Sequence, residues 1–249
     1  MPHVVNVTKS EDIPRDPIDG KPTLVYWNIV CYAHAIRLAL AYARVDFVDV
    51  RVDPGDPHGD SYKQVWFDVK PAMANLLTFP NLPYLLDDGG VALSQSDTIL
   101  RHIGRKYFPP LEDEAQHRTL DLVLDELKDQ ENGMTKAAYS SRKDLDCWCQ
   151  ESLPGVLHRF SRLLEHNSYD FLLANRPSIA DFKLYQFLYR IPGVKYRCND
   201  CSGNSLPPRL QTFLERIETT MPTVGPHQFL PHPLHSPHAF WIGTEADAI

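Results

Sequence analysis

No stretch of this chain approaches the ~20 consecutive apolar residues that span a bilayer, so a membrane-embedded protein is not expected. Positive charge is also in short supply. Against 32 Asp and Glu stand 25 Lys and Arg, leaving a formal net charge of -7. Nucleic acids and anionic membranes reward clustered Lys and Arg, so neither is an expected partner. Cysteine is sparse, at 5 residues. An odd, small number without a leader suits a reducing compartment, and the expected location is the cytoplasm. The opening MPHVVNVTKSEDIPRDPIDGKP has neither the basic start nor the apolar core of a secretory signal. Its prolines and acids fit a transit peptide equally poorly. Residues 1–21 are expected to form a flexible arm outside the fold. No internal repeat or low-complexity block occurs.

What the chain does have is a change of texture. TLVYW reads as a short apolar strand, and residues 33–44 place Ile36, Leu40 and Ala43 on one helical face with Arg37 and Arg44 set off it. FVDVRV alternates like a half-buried strand, and DPGDPHGD is a loop. A short helical stretch over residues 62–77 must bend at Pro71. YLLDDGGVALS reads as a hairpin turning on Asp-Asp-Gly-Gly, and SDTILRHIGRKY as a helix that starts at Ser96 and ends basic. The order β-α-β-α-β-β-α over residues 22–107 predicts a thioredoxin-like α/β domain. Residues 108–113 form a proline-and-acid linker, and 114–249 read as an all-helical domain with a proline-rich tail that wraps back. Long helices are expected over 114–141 and 147–166. A capping-box-like Ser178-Ile-Ala-Asp181 opens another helix running to about Arg190, and a last one covers 210–219.

An α/β domain linked to a helical one is the layout of the glutathione transferases, and several motifs sharpen the likeness. YWNIVCYAHAIRLAL, QVWFDVK, FPNLPYLLDD, LSQSDTIL and the late FLPHP with Trp241 resemble the mu class over residues 23–243. The resemblance implies an enzyme that conjugates the thiolate of glutathione, its co-substrate, to small hydrophobic electrophiles in detoxification. It also implies a homodimer and no metal.

Carried over residue by residue, the resemblance gives the Tyr26 hydroxyl to the glutathione sulfur. By residue type alone, Tyr26 is a strand-end tyrosine packed in place. A thiol of pKa ~8.5 must drop by ~2 units, about 3 kcal/mol, to ionise at neutral pH. One hydrogen bond to a charged acceptor supplies ~1.5–3 kcal/mol, and a helix N-terminus adds ~0.3–1. Trp27 belongs to the same stretch. Trp66 and Lys70 match the residues that hold the glycine carboxylate. Lys63 stands where the class usually has arginine, which keeps the charge but loses the planar fork, so weaker glutathione affinity is expected. Asn81, Leu82 and Pro83 match the turn that pairs its backbone with the cysteinyl part, with Pro83 as a cis-proline. Gln95 and Ser96 open a helix whose free N–H groups suit the γ-glutamyl carboxylate, while Ser96 also reads as a plain N-cap. Asp129 matches an aspartate that reaches the partner subunit's glutathione, or is simply a surface charge. Ile29, Tyr32 and Tyr139 match the electrophile pocket, with Tyr32 narrowing it and Tyr139 assisting a developing oxyanion. Phe79 matches the aromatic key inserted into the neighbouring subunit.

One departure stands out. Val30 and Cys31 occupy positions where the class has Arg-Gly. Cys31 near a helix N-terminus suits a thiol transferase that forms a mixed disulfide with glutathione, as well as a small buried residue. A third reading is a non-catalytic glutathione or hydrophobic-ligand binder, or a crystallin-like relative. Cys198-Asn-Asp-Cys201, the Cys147 and Cys149 pair and the tail histidines lack the partners of a zinc site.

Overall fold

The computed structural model describes residues 2–56, 58–167, 169–197 and 206–221, with backbone only over 192–197. Cys198, Cys201, the tail with its histidines, and Trp241 lie outside the described residues. The chain divides into two compact units, with the boundary between Phe108 and Pro109.

The first unit is a five-stranded mixed sheet. Its strands are β1 (His3–Val7), β2 (Thr23–Trp27), β3 (Val48–Val52), β4 (Tyr84–Asp87) and β5 (Val91–Ser94), in the order β1-β3-β2-β4-β5. The helices are α1 (His34–Tyr42), α2 (Gln64–Phe67) and α3 (Ser96–Tyr107). The three inner strands β3, β2 and β4, flanked by β5, reproduce the expected thioredoxin-like arrangement.

The flexible arm is corrected. Residues His3–Val7 pair in parallel with β3, from His3 opposite Val48 to Val7 opposite Val52. The His3 N–H donates to the Phe47 carbonyl at 3.1 Å, and the Asp53 N–H to the Val7 carbonyl at 2.8 Å. The run HVVNV is β-branched and alternating, a strand signal overshadowed by the prolines and acids around it. The strand covers an edge of β3 whose unpaired N–H and C=O groups would otherwise face water. Beyond it, Ile13 is buried and the Tyr84 hydroxyl donates to the Pro14 carbonyl at 2.5 Å. The Ile18 N–H then donates to the Thr23 hydroxyl at 2.9 Å, handing the chain to β2.

Two further expectations change with burial. Strand β3 is buried at every residue rather than half-buried, an inner strand paired with β1 on one edge and β2 on the other. Arg37, expected off the apolar face, is fully buried and paired with Asp49, whose oxygens it meets at 2.9 and 3.1 Å. Arg51 closes the cluster at 2.8 Å from Asp49. Buried charges persist only when paired, and this trio meets that condition.

The second unit contains α4 (Glu114–Ser140), α5 (Arg142–Cys147), α6 (Leu153–His166), α7 (Ile179–Arg197) and α8 (Pro208–Thr220). Asp113 caps α4 by accepting the Gln116 N–H at 2.8 Å. A π turn over Trp148–Ser152 joins α5 to α6, so helix resumes earlier than expected. Ser141 caps α5 by accepting the Asp144 N–H at 3.1 Å, which is why the chain re-enters helix at once. Helix α7 runs past Pro192 to Arg197 instead of ending near Arg190. It is the buried central helix: Phe182, Leu184, Phe187 and Leu188 are all at 0% exposure, so packing overrides the local Pro-Gly break signal. The Ser178/Asp181 start forms as read. The Asp181 carboxylate accepts the Ser178 N–H at 2.7 Å and its hydroxyl at 2.6 Å, and also takes the Leu172 N–H at 2.8 Å.

Candidate glutathione site

The strand register decides which residues meet. Val25 lies opposite Tyr84 in the antiparallel pair β2–β4, and Tyr84 lies opposite Ser94 in β4–β5. The end of β2, the start of β4 and the end of β5 therefore fall at one end of the sheet. Tyr26 and Trp27 close β2, Leu82 and Pro83 precede β4, and Gln95 and Ser96 follow β5. The parallel neighbour β3 ends beside Trp27, with Trp27 opposite Val52, and its outgoing loop leads to Lys63.

Tyr26 is buried, and burial drives its hydroxyl pKa well above the ordinary value; contact and a hydrogen bond with Cys31 push the same way. The Tyr32 N–H bonds to it in the opposite sense. The phenol is thus held protonated and able to donate. The loop after β2 is pinned from below: the Arg37 guanidinium donates to the Ile29 carbonyl at 2.9 Å. Cys31 is buried at 8% exposure, and Lys63 is close enough to feel it. Burial lowers the Lys63 pKa, and the neighbouring Cys31 opposes that shift.

Helix α2 is a single turn. Its entry residue, Lys63, has φ 64 and its N–H donates to the Pro54 carbonyl at 2.6 Å. Trp66 is buried and stacks on Tyr84 with ring centroids 6.0 Å apart. Lys70 is half-buried, and its N–H donates to the Trp66 carbonyl at 3.0 Å. The Leu82–Pro83 peptide is cis. Asn81 is exposed beside it, and the Phe79 carbonyl two residues earlier accepts the Ser94 hydroxyl at 2.6 Å. Phe79 itself is 66% exposed, a large apolar ring left in water.

Gln95, just ahead of α3, is exposed with φ 71 and ψ 112. A non-glycine residue at positive φ costs roughly 1–3 kcal/mol and persists only where the surrounding structure holds it. Gln95 and Lys63, both candidate site residues, have positive φ, as do Asp19 and Arg44 away from the site. The Ser96 end of α3 presents free backbone N–H groups, a suitable cradle for a carboxylate. Asp97 is buried one residue on, a position that sequence reading passed over. Its signal was an acid in the first helical turn. The Arg37–Asp49–Arg51 cluster was missed as well, since a lone Arg in an amphipathic helix looks like surface.

In the second unit, Asp129 is exposed on α4 and Tyr139, near its end, is 43% exposed. Among the described residues, no group of three or more His, Cys, Asp or Glu is arranged to hold a metal ion. No described helix is long and apolar enough to cross a membrane.

Comparison with known proteins gives the family. The N-terminal domain of glutathione S-transferase matches residues 22–105, and the family's C-terminal domain matches residues 128–222. Glutathione S-transferase 2 of Gallus gallus is 34% identical, over 79% of this chain and 84% of its own. The glutathione S-transferase of Tyrophagus putrescentiae is 32% identical over 92% of this chain and all (100%) of its own. Glutathione S-transferase Mu 7 of Rattus norvegicus is 31% identical, over 88% of this chain and 97% of its own. Among solved structures, the Pi-class glutathione S-transferase of Onchocerca volvulus superposes with a TM-score of 0.71 at 24% identity, covering 88% of this chain and 99% of the other. With both domains matched and relatives aligned over most of their length, the chain belongs to the glutathione S-transferase family, a family of transferases.

Proposed function

We propose that this chain conjugates glutathione to small hydrophobic electrophiles in the manner of the mu class, as a cytoplasmic homodimer serving detoxification. The observation that carries this reading is the register Val25–Tyr84–Ser94, which gathers Tyr26, Pro83 and Gln95 at one end of the sheet. The buried Tyr26 hydroxyl donates to the glutathione sulfur and stabilises it as thiolate. Gln95 and Ser96 receive the γ-glutamyl end, the Leu82 backbone pairs with the cysteinyl part beside Asn81, and Lys63, Trp66 and Lys70 take the glycine carboxylate, with Trp27 alongside. Asp129 reaches the partner subunit's glutathione. Ile29, Tyr32 and Tyr139 contact the electrophile, with Tyr139 assisting the charge that develops on it. The exposed Phe79 ring serves as the key into the second subunit.

The test is the ultraviolet difference spectrum of the protein with glutathione across pH, for wild type and Tyr26→Phe. A thiolate band that appears well below the free-thiol pKa and vanishes in Tyr26→Phe supports the mechanism. Glutathione binding without a thiolate band refutes it and favours the non-catalytic binder.

A second reading has its own observation: the buried Cys31 neighbours Tyr26 and lies within electrostatic reach of Lys63. In that reading the Cys31 thiolate attacks the glutathione sulfur of a mixed disulfide. The Cys31–glutathione disulfide forms as the substrate thiolate leaves, and a second glutathione then releases Cys31 with formation of glutathione disulfide. A thiolate band present without glutathione and abolished by Cys31→Ser would establish it.

A further inference from the structure

The match to the family's N-terminal domain begins at residue 22, yet the residues before it are woven into the site's foundations. The relevant piece of foundation is α2. A helix of one turn cannot hold itself, because nucleation fixes several residues for a single hydrogen bond. Its entry through Lys63 at φ 64 adds to that difficulty. Contacts from elsewhere must therefore hold it, and two come from or through the arm. The Ser10 hydroxyl donates to Asp68 Oδ2 at 3.2 Å, while the other oxygen of Asp68 takes the Gln64 side-chain N–H at 2.6 Å. Asp68, the residue that ends α2, thus ties the arm to Gln64, the residue that begins it. The second contact runs through Tyr84: its hydroxyl donates to the Pro14 carbonyl at 2.5 Å, and its ring stacks on Trp66. Tyr84 is fully buried, so Pro14 supplies its hydroxyl with an acceptor that water cannot replace while the arm is in place. Val7 and Ile13, both buried, anchor the arm on either side of Ser10.

We propose that the N-terminal segment Ser10–Pro14 is a positioning element of the glutathione site, holding Trp66 and Lys70 through Asp68 and Tyr84. This rests on the reading that Trp66 and Lys70 take the glycine carboxylate. Among the described residues the hydrogen bonds of Ser10–Pro14 beyond the arm run to Asp68 and Tyr84 and not to Tyr26, so loss of these contacts acts on glutathione affinity and not on the chemical step.

The experiment measures steady-state conjugation and calorimetric glutathione binding for Ser10→Ala, Tyr84→Phe, their combination, and Lys70→Ala as reference. Tyr84→Phe keeps the stacked ring and deletes only the hydroxyl, so folding is preserved, as far-ultraviolet circular dichroism will verify. Each arm contact is one hydrogen bond, so the double variant is expected to raise the KM and Kd for glutathione about three- to tenfold, with kcat at saturating glutathione within about twofold of wild type. Unchanged KM and Kd in the double variant, alongside weakened binding in Lys70→Ala, would overturn the arm's role while leaving the site reading intact. Unchanged binding in Lys70→Ala would overturn the site reading, and the arm's role with it. A fall in kcat with unchanged KM would also overturn it, as the arm would then act on the chemistry.

Discussion

The thiol of Cys31 neighbours the hydroxyl of Tyr26 at the end of strand β2 and acts with burial to raise the pKa of that hydroxyl. The group proposed to serve the glutathione sulfur therefore already has a sulfur partner of its own. When glutathione binds, its thiolate must take the phenol from Cys31 or share it.

Removing that competitor has a predictable effect. Cys31→Ala is expected to lower the pH at which bound glutathione ionises, while Tyr26→Phe should reduce kcat/KM by about 10- to 100-fold, the worth of one hydrogen bond to a charged acceptor. Because burial keeps Tyr26 protonated, the rate should not decline on the alkaline side until above the ordinary phenol pKa of ~10. Rates from pH 6 upward for the three proteins, together with reduction of a glutathione mixed disulfide, check both points. Retained conjugation with lost disulfide reduction in Cys31→Ala would show the two chemistries coexisting.

Asp181 gives a pH dependence of stability. Burial raises its pKa to about 6, against hydrogen bonds from Ser178 and Leu172 that lower it. An unfolded aspartate titrates near ~3.9, so between about 4 and 6 the folded chain holds the extra proton. The Asp181 contribution to stability is therefore complete below about 4 and declines as pH rises to about 6. Urea unfolding from pH 4 to 7 should show a slope in wild type that is reduced in Asp181→Asn. Asp181→Ala, which strands the Ser178 and Leu172 N–H groups, should cost about 1–3 kcal/mol at every pH.

The buried Arg37 joins structure to site, since it binds both Asp49 and the Ile29 carbonyl. Arg37→Met leaves Asp49 with only Arg51 as partner and should cost about 3–5 kcal/mol, the usual result of breaking a buried pair. Equilibrium denaturation measures it. A loss under 1 kcal/mol would mean that Arg51 alone suffices.

Phe79 tests the assembly. Sedimentation velocity should show Phe79→Ser shifting toward monomer while its circular dichroism stays that of the wild type, because the ring is 66% exposed and contributes little to the fold of its own unit. An unchanged sedimentation coefficient would remove Phe79 from the interface.

Local pattern carried most of the architecture. The strand TLVYW, the hairpin around Asp88 and Gly89, and the capped start at Ser178 each formed where their residue types dictate, and α3 begins at Ser96 as read, although Gln95 stands at its cap position and no side chain caps it. These are short-range decisions, fixed by β-branching, glycine turns and side-chain caps within a few residues. The likeness of YWNIVCYAHAIRLAL and LSQSDTIL to the mu class drew attention to residues that the sheet then brought to one end.

Tertiary structure decided the rest, for the same physical reason each time: burial changes what a residue type means. HVVNV became a strand because β3 had an open edge to offer, and no local signal reports an edge 45 residues away in register, His3 to Val48. Arg37 became a core residue because Asp49 stood across from it. Pro192 did not end α7, because the packing of the residues before it outweighed the break. Tyr84, an ordinary strand aromatic in the sequence, became the link between the arm and Trp66. Sequence determined which elements exist and which motif they resemble; the long-range pairing of edges, charges and rings determined what holds the site in place.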